Sequence, residues 1–413
     1  MKSPGSPPAV PAMAAVLDAI RDRVTVSRVE LVGATGLTAA TITNTVRRLM
    51  SVGYVREVGT LQSGAGSPRR LIRLEPDACY TVGIQFDRFT STAVIVDLAG
   101  DVVERSTMPG AALRHPDSVV ASLGHHIEKL LSSAAVPRSK VLGVGVTTHG
   151  PQDRDAGVLL TSNPSIDWLG YPLAASLSDL IDLPVLIEND ATAAAVGEEG
   201  LGSSGSSFAT VYMSGGIGSG VVLNGQPYRG ASSNGVELGH ISVDAFGPRC
   251  TCGNTGCIEN LAGPTVIVEK ARNTGLRSRL RLGQGTLVDF KAIGRAAMAG
   301  DPDARALIEG SAAVLAVGVA TLVNLFDVAR VVFTGDAFTD VGPIYRRHAQ
   351  DAVDKGAFMR AVHPVRVEQS RQMSDAAAIG GAVLVLRSLL GAGESAMRTA
   401  RGAERLSLPA AVP

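Results

Sequence analysis

The chain has 413 residues, of which 45% are apolar and only 4% aromatic, so two or three domains with aliphatic cores are expected. Lysine and arginine together number 38, as do aspartate and glutamate, and this balance excludes a protein drawn to nucleic acid or to an acidic surface by its overall charge. Within residues 1–75, however, ten basic side chains outnumber five acidic ones, and a basic end on an acidic body is typical of nucleic-acid binding.

The two ends of the chain show no targeting or membrane segment. Residues 1–12 are rich in proline, serine and glycine and lack the apolar core of a signal peptide. No run of about 18 apolar residues indicates a membrane span. We therefore expect a cytoplasmic protein with a disordered start at 1–12 and a flexible tail at 391–413.

Residues 13–77 are predicted to form a winged helix-turn-helix domain. Apolar spacing predicts a first helix up to Arg23, and Ser27 and Thr38 are predicted to cap the second and third helices. Two strands, Tyr54–Val58 and Leu71–Leu74, enclose a flexible basic wing. We expect this domain to bind double-stranded operator DNA; the alternative is a small helical module that docks a protein.

The candidate DNA contacts are small polar and basic side chains on the exposed face of the third helix and on the wing. Short polar groups fit a major groove, while arginines hold phosphates or enter a minor groove. The candidates are Thr38, Ala39, Thr41, Thr43, Asn44, Arg47, Arg48, Arg69 and Arg70.

From residue 78 the apolar pattern changes to short strands that alternate with helices. The predicted elements are strands at 80–86, 91–97, 102–108, 141–147, 184–188, 208–213, 221–223 and 330–333, with helices at 118–131, 173–180, 190–198, 306–325 and 375–390. Two similar β-β-β-α sets predict an α/β fold with two actin-like lobes, as in sugar kinases, with the ligand between them. The first lobe is predicted to span 78–195 and about 372–390, and the second 196–371.

Three of the four cysteines lie between Glu237 and Asn260. Cys250, Cys252 and Cys257 follow His240 with nine, one and four residues between successive members. Thiolate and imidazole ligands of this number suit a tetrahedral structural zinc site, so we expect Zn²⁺ here. The alternative is a set of buried or oxidised cysteines, which a reduced intracellular chain disfavours.

Two acids bracket this stretch, Glu237 three residues before His240 and Glu259 two residues after Cys257. A metal would fix both carboxylates and leave the second ring nitrogen of His240 for a ligand. Because carboxylates and imidazole pair with vicinal hydroxyls, the predicted ligand is polyhydroxylated. Each acid taken alone could equally be a solvated loop charge.

Four motifs together resemble the ROK family (repressor, open reading frame, kinase), in its repressor branch with an amino-terminal winged helix-turn-helix. They are IENDATAAAVGE at 187–198, SGGIGSGVVLNGQPYRG at 214–230, VELGH at 236–240 and CTCGNTGCIEN at 250–260. The resemblance covers nearly all of residues 13–390. Repressors that respond to xylose, N-acetylglucosamine or glucose are of this type.

The resemblance implies roles for individual residues. Asn189 and Asp190 match a pair that contacts sugar hydroxyls, and in the family's kinases the aspartate is the general base. The implied sugar-binding set is Asn163, Asn189, Asp190, Glu237, His240 and Glu259. The implied zinc ligands are His240, Cys250, Cys252 and Cys257.

Departures from the family's kinases decide between enzyme and regulator. The kinases hold ATP phosphates with an Asp-x-Gly-Gly-Thr turn, where this chain has Gln85, Asp87 and Arg88 at the aspartate and the two glycines. TGDAF at 334–338 lacks the paired glycines of another nucleotide loop, while the glycines at 215–220 are kept and are interpreted as hairpin packing. Val236 stands where glycine commonly precedes the glutamate.

These departures predict a sugar-responsive transcriptional regulator, most simply a repressor, with no effective ATP site and no catalytic residue. We expect a homodimer or homotetramer. Two alternatives stay open: an active ATP-dependent sugar kinase fused to a DNA-binding domain, with Asp190 as its base, or a regulator controlled mainly by a protein partner.

Overall fold

The computed structural model describes residues 12–61, 68–111, 114–162, 165–200 and 206–392, which form a small head and two larger α/β lobes. The head contains α1 (Ala12–Arg21), β1 (Val26–Ser27), α2 (Arg28–Thr35), α3 (Ala39–Ser51), β2 (Val55–Leu61) and β3 (Arg69–Leu74). Its strands form a sheet in the order β1-β3-β2. The wing tip at 62–67 and most of the predicted disordered ends lie outside the described residues. The predictions differ from the structure at their inner limits, since Ala12 begins α1 and residues 391 and 392 belong to the final helix rather than to a flexible tail.

Both predicted helix caps in the head are confirmed. The Ser27 hydroxyl accepts from the backbone N–H of Glu30 while the Glu30 carboxylate accepts from the Ser27 N–H at 2.7 Å, a reciprocal capping box. Thr38 Oγ1 accepts from the Thr41 N–H at 3.2 Å. The first helix ends two residues earlier than predicted, at Arg21, because the chain turns there to reach β1. β1 was missed since two residues give no readable alternation.

Lobe 1 is built on a five-stranded sheet in the order β6-β5-β4-β7-β10. Its elements are β4 (Tyr80–Gln85), β5 (Thr90–Asp97), β6 (Val102–Pro109), α4 (Pro116–Ser133), β7 (Val141–Thr148), β8 (Gln152–Asp153), β9 (Val158–Leu159), α5 (Leu173–Ile181), β10 (Val185–Asn189) and α6 (Asp190–Glu199). Strands β4 to β6 are antiparallel, and β4, β7 and β10 are parallel.

Lobe 2 repeats this arrangement with the order β13-β12-β11-β14-β15 and the same pattern of antiparallel and parallel pairs. Its elements are β11 (Phe208–Met213), β12 (Ile217–Leu223), β13 (Gln226–Pro227), α7 (Ile258–Ala262), α8 (Pro264–Arg272), α9 (Leu276–Arg279), α10 (Thr286–Met298), α11 (Pro302–Phe326), β14 (Arg330–Thr334), α12 (Phe338–Gly356) and β15 (Arg366–Gln369). The final helix, α13 (Ala376–Ala392), returns to pack on β4, β5 and β7 of lobe 1. The two-lobed prediction is therefore confirmed.

Helix α11 is long and apolar enough to cross a membrane, with a mean hydropathy of 2.0 over its most apolar window. The sequence analysis did not identify it as a candidate span. Half of that window is buried in lobe 2, where Ile308, Leu315 and Leu322 belong to the main core. A core helix passes the same length and composition test, so α11 is weak evidence for a membrane.

The head is not an independent module, because it shares one apolar core with lobe 1. Leu17 and Ile20 of α1 belong to the same buried cluster as Val96 of β5 and Val383 and Leu386 of α13. Arg21 adds a polar link, donating through Nε and Nη2 to the Leu98 carbonyl at 3.2 and 3.1 Å. A change in the orientation of α13 would therefore act directly on the head.

Candidate metal centre and ligand pocket

The four residues predicted to bind zinc come together in one cluster. One ligand atom from each of His240, Cys250, Cys252 and Cys257 lies within 4.8 Å of all the others. The Sγ atoms of Cys252 and Cys257 are 3.7 Å apart. A disulfide requires about 2 Å, whereas two sulfurs each about 2.3 Å from a tetrahedral zinc ion are separated by about 3.8 Å. The donor set and its spacing fit a structural zinc ion.

His240 enters this cluster through one ring nitrogen. Its Nδ1 lies 3.6 Å from Cys250 Sγ, so a metal bound through Nδ1 leaves Nε2 as the nitrogen that could face a ligand. His240 ends a short 3₁₀ turn that begins directly after Glu237. The metal loop therefore fixes the position of Glu237 as well.

Two of the predicted sugar-binding residues, Asn189 and Glu237, converge with Asn234 on Gly150, which follows β7. A Cβ atom at Gly150 would lie 3.2 Å from Asn234 Oδ1, 3.6 Å from Asn189 Nδ2 and 3.8 Å from Glu237 Oε1. Asn189 caps α6, its Oδ1 accepting from the Thr192 N–H at 3.0 Å, and its amide nitrogen remains to donate toward the pocket. Residues of both lobes thus meet at one small polar space.

Glu259 has a partner that the sequence analysis did not predict. Its Oε2 accepts from the backbone N–H of Ile217 at 2.8 Å, which ties the first residue of β12 to the start of α7 beside the metal loop. Burial raises the pKa of Glu237; His240 opposes that rise and the negative charge of Glu259 adds to it. These three predicted residues therefore lie within electrostatic reach of one another.

Asp190 is the most perturbed acid of the pocket. Burial, followed by the negative charges of Asp87 and Glu237, raises the pKa of Asp190 to about 7. The backbone N–H of Ala191 donates to its Oδ1 at 2.8 Å and opposes the rise. A carboxyl group with such a pKa can accept or donate a hydrogen bond to a sugar hydroxyl at neutral pH. Asn163, the remaining predicted sugar contact, lies outside the described residues.

Two features of the pocket were missed. Glu188 is fully buried next to Asn189, and its Oε2 accepts from Arg154 Nε at 3.2 Å in lobe 1 and from Arg229 Nε at 2.9 Å in lobe 2. Asn234 holds the backbone of Gln152, accepting from its N–H and donating to its carbonyl, both at 2.9 Å. The segment 229–234 of lobe 2 is thereby fastened to lobe 1 beside the pocket. Glu188 and Arg229 both lie in motifs identified from the sequence, but nothing in the sequence indicates that they pair, and Arg154 follows no local pattern.

A buried contact joins the two lobes at Gln85, the residue predicted to replace the aspartate of the kinases' phosphate turn. Gln85 Nε2 donates to the Tyr212 hydroxyl at 3.0 Å, and both side chains are buried. Of the glycines kept at 215–220, Gly220 packs the β11–β12 hairpin against α6, as predicted, since a Cβ atom there would lie 2.4 Å from the Ala191 carbonyl. In the TGDAF segment at 334–338, Asp336 pairs with Lys291 at 2.5 Å.

The candidate DNA contacts lie on α3 and β3. Thr38, Ala39, Asn44, Arg47 and Arg48 are exposed, while Thr41 and Thr43 are half-buried. Arg69 and Arg70 are exposed residues of β3 rather than part of the predicted wing tip, because β3 begins at Arg69.

One of the two arginines in β3 already has a partner in the head. Arg70 forms an ion pair with Glu57 at 2.5 Å, and Glu57 forms a second ion pair with Arg28 at 3.1 Å. The charge of Arg70 is therefore partly offset before any DNA is present.

Comparison with known proteins places this architecture in a family. A profile of the ROK family matches residues 81–388. The chain belongs to the ROK family. It is 26% identical over 381 residues to the xylose repressor of Caldicellulosiruptor bescii, covering 91% of this chain and 95% of that one. It is also 26% identical over 370 residues to the DNA-binding transcriptional dual regulator NagC of Escherichia coli, covering 88% and 89%.

Solved structures of this family agree on the fold. A ROK family transcriptional regulator, a homolog of the E. coli MLC protein, superposes with a TM-score of 0.74 over 95% of this chain and 100% of that one, at 23% identity. A ROK family glucokinase from Streptomyces griseus, in complex with glucose and AMPPNP, superposes with a TM-score of 0.60 over 74% and 98%, at 26% identity. The likeness to the regulator includes the head, whereas the shorter glucokinase match covers about the length of the two lobes.

Proposed function

We infer that this ROK protein is a sugar-responsive transcriptional regulator that represses its target genes by binding operator DNA. The head at 13–77 binds the DNA, and the effector sugar binds between lobe 1 (78–195 with about 372–390) and lobe 2 (196–371). The observation that carries this inference is the convergence of Asn189, Glu237 and Asn234 at Gly150, in a chain whose head shares its core with lobe 1. The names of the two relatives, a xylose repressor and a DNA-binding transcriptional dual regulator, support it.

The effector would act by changing how the lobes sit on each other. Asn189 and Asp190 belong to lobe 1, while Glu237, His240 and Glu259 belong to lobe 2, so one sugar that bonds to both sets favours one interlobe arrangement. Because α13 and the head move with lobe 1, that arrangement sets the position of α3 relative to a second subunit. The sugar then shifts the DNA-bound population by its preference for one arrangement.

A homodimer suits both the DNA and the exposed surface. Ala306, Gly310, Ala313 and Val317 of α11 are exposed at spacings of three or four residues, which gives one apolar helical face for a second copy to cover. A two-fold dimer would place two heads on the half-sites of a pseudo-palindromic operator.

Zinc is the metal that we assign to the cluster of His240, Cys250, Cys252 and Cys257. Its role would be structural, since four protein ligands leave no open position for a reacting group. When bound, it supplies a fixed anchor for the loop that carries Glu237 and for the start of α7 with Glu259.

An active sugar kinase is the second candidate, favoured by Asp190, whose pKa of about 7 suits a general base. Against it, Gln85, which is predicted to replace the aspartate of the kinases' phosphate turn, is hydrogen-bonded to Tyr212. Asp87 also adds a negative charge near Asp190. A coupled assay with ATP and a panel of sugars decides between the two. Turnover at an ordinary enzymatic rate that is lost in Asp190→Asn would establish the kinase.

The test of the regulator is operator binding. Duplexes selected by the protein from a random pool supply the operator, and its Kd is measured with and without D-xylose, D-glucose and N-acetyl-D-glucosamine. At least one sugar should change the Kd by 10-fold or more, and Glu237→Gln should retain DNA binding while losing that change. No change with any sugar would remove the effector from the proposal.

A further inference from the structure

Helix α6 spans the distance between the ligand pocket and the head. Its first residue is Asp190, preceded by the cap Asn189, and its last is Glu199, about 15 Å away along the axis of a ten-residue helix. On one side α6 packs against β12 of lobe 2, and on the other against α13. A group that binds at Asn189 or Asp190 therefore acts on one end of an element whose other end lies near the head.

The far end of α6 is held to α13 by a buried ion pair. Arg387 Nη2 lies 3.2 Å from Glu199 Oε2, and the same nitrogen donates to the Gly200 carbonyl at 2.8 Å. The Glu199 side chain is only 1% exposed. Glu199 Oε1 and Arg387 Nη1 are buried without a hydrogen-bond partner in the part of the chain that the structure describes. Each member of the pair thus keeps one unsatisfied polar atom, and the contact between Oε2 and Nη2 holds the ends of the two helices together.

The same guanidinium acts on the first helix of the head. Burial raises the pKa of Asp18, and the positive charges of Arg21 and Arg387 oppose that rise. Burial also raises the pKa of Glu199, which Arg387 opposes and Asp18 reinforces. Asp18 and Arg21 of α1 therefore lie within electrostatic reach of the ion pair, and α1 also packs against α13.

The contact between α6 and α13 leaves no room for the two helices to slide. A Cβ atom at Gly380 would lie 1.7 Å from the Ala193 carbonyl, and one at Gly197 would lie 2.1 Å from the Ala376 carbonyl. The two backbones touch directly, without intervening side chains that could rearrange. Close-packed elements of this kind transmit a displacement rather than absorb it.

We propose that α6 and α13 connect the effector pocket to the DNA-binding head, and that the Glu199–Arg387 ion pair is the contact through which sugar binding changes the orientation of α1. This inference rests on the proposed function and names its coupling residues. Neither Glu199 nor Arg387 touches the pocket groups around Gly150, and neither lies on the DNA-facing helix α3. Both are positioning residues, whose effect should appear in the coupling alone.

The test compares three equilibrium constants in the full-length protein: the Kd for sugar, the Kd for operator without sugar, and the Kd for operator with saturating sugar. The sugar is the one of D-xylose, D-glucose and N-acetyl-D-glucosamine that changes operator binding of the wild type. In Arg387→Met, the first two constants should stay within about threefold of the wild type. The sugar-induced change in operator Kd should fall from at least 10-fold to below threefold, since coupling is a separate free energy.

Matched variants separate coupling from loss of stability. Glu199→Gln keeps the shape of the side chain and removes the charge, and should reproduce the loss of response, while Arg387→Lys keeps the charge and should retain part of it. Arg272→Met is the control: Arg272 pairs at 2.6 Å with Asp289, whose side chain is 2% exposed, but in lobe 2 away from the head. Its sugar response should equal that of the wild type.

The outcomes distinguish this inference from the proposed function. A wild type that ignores every sugar would overturn the proposed function itself. A wild type that responds, together with Arg387→Met and Glu199→Gln variants that respond equally well, would overturn only the role of the ion pair.

Discussion

The side-chain amide of Gln85 in lobe 1 donates a hydrogen bond of 3.0 Å to the hydroxyl of Tyr212 in lobe 2. Gln85 is predicted from the sequence to replace the aspartate of the related kinases' phosphate turn, and Tyr212 lies on β11 in the sheet of lobe 2. This hydrogen bond is a direct, buried link between the lobes.

Removing this link should destabilise the protein without opening a nucleotide site. Tyr212→Phe leaves the Gln85 amide buried without its acceptor, which should cost about 1–2 kcal/mol in the free energy of unfolding. Urea unfolding measures the change, and Tyr228→Phe, whose ring is 42% exposed, is the control expected to leave stability unchanged. Unchanged stability combined with new ATP binding by calorimetry would contradict the role of the contact.

Asp190→Asn should stabilise the protein above neutral pH. Folding raises the pKa of Asp190 from 3.8 to about 7, so the folded state holds this proton more tightly than the unfolded chain. That advantage is complete below about pH 4 and is lost as the pH rises to about 7. At about 1.4 kcal/mol per pKa unit, the asparagine variant should gain about 1–4 kcal/mol over the wild type between pH 4 and pH 8.

Urea unfolding at pH 4, 6 and 8 checks this prediction. Asp155→Asn is the matched control for replacing an aspartate by asparagine, since the side chain of Asp155 is 90% exposed. A constant difference between Asp190→Asn and the wild type across the range would show that Asp190 is not perturbed by its surroundings.

The metal centre predicts a link between zinc content and the stability of lobe 2. Cys252→Ser removes one of four ligands, so the protein should lose its zinc and its melting temperature should fall by several degrees, because metal binding and local folding are coupled. Cys79→Ala, which changes the one cysteine outside the cluster, should keep one zinc per chain. A Cys252→Ser protein with full zinc content and unchanged melting would exclude the assigned ligands.

The two basic positions of the head should differ in their effect on DNA binding. Arg47 is exposed on α3, so Arg47→Ala should weaken operator binding by about 1–3 kcal/mol at fixed salt. Arg70 already pairs with Glu57, so Arg70→Ala should cost less. Arg277→Ala, an exposed arginine of lobe 2, is the control. Fluorescence anisotropy measures all three, and equal losses for Arg47 and Arg277 would indicate non-specific charge effects.

Local chemistry explains which parts of the fold could be predicted. The caps Ser27 and Thr38 were readable because a cap depends on residues within one turn of it. The strands of five or more residues were readable from their apolar runs, which also revealed the repeat of the two lobes, whereas shorter strands such as β1 and β15 were not predicted. The four metal ligands were readable because they fall within 18 residues of one another, from His240 to Cys257.

Contacts between distant parts of the chain could not be predicted in the same way. Glu188 pairs with Arg154 and Arg229, which are 34 and 41 residues away in the sequence. Gln85 is hydrogen-bonded to Tyr212, which is 127 residues away. The core shared by α1 and α13 joins the two ends of the described chain. No periodic pattern in the sequence indicates these contacts, since each depends on how the two lobes and the head pack together.

The most direct test of the account is the equilibrium affinity of the full-length protein for its selected operator, titrated with D-xylose, D-glucose and N-acetyl-D-glucosamine in the absence of ATP. We predict that at least one of these sugars changes the Kd by 10-fold or more and that Glu237→Gln abolishes the change. An operator Kd that stays constant with every sugar, in a protein that transfers phosphate from ATP to one of them, would contradict the account.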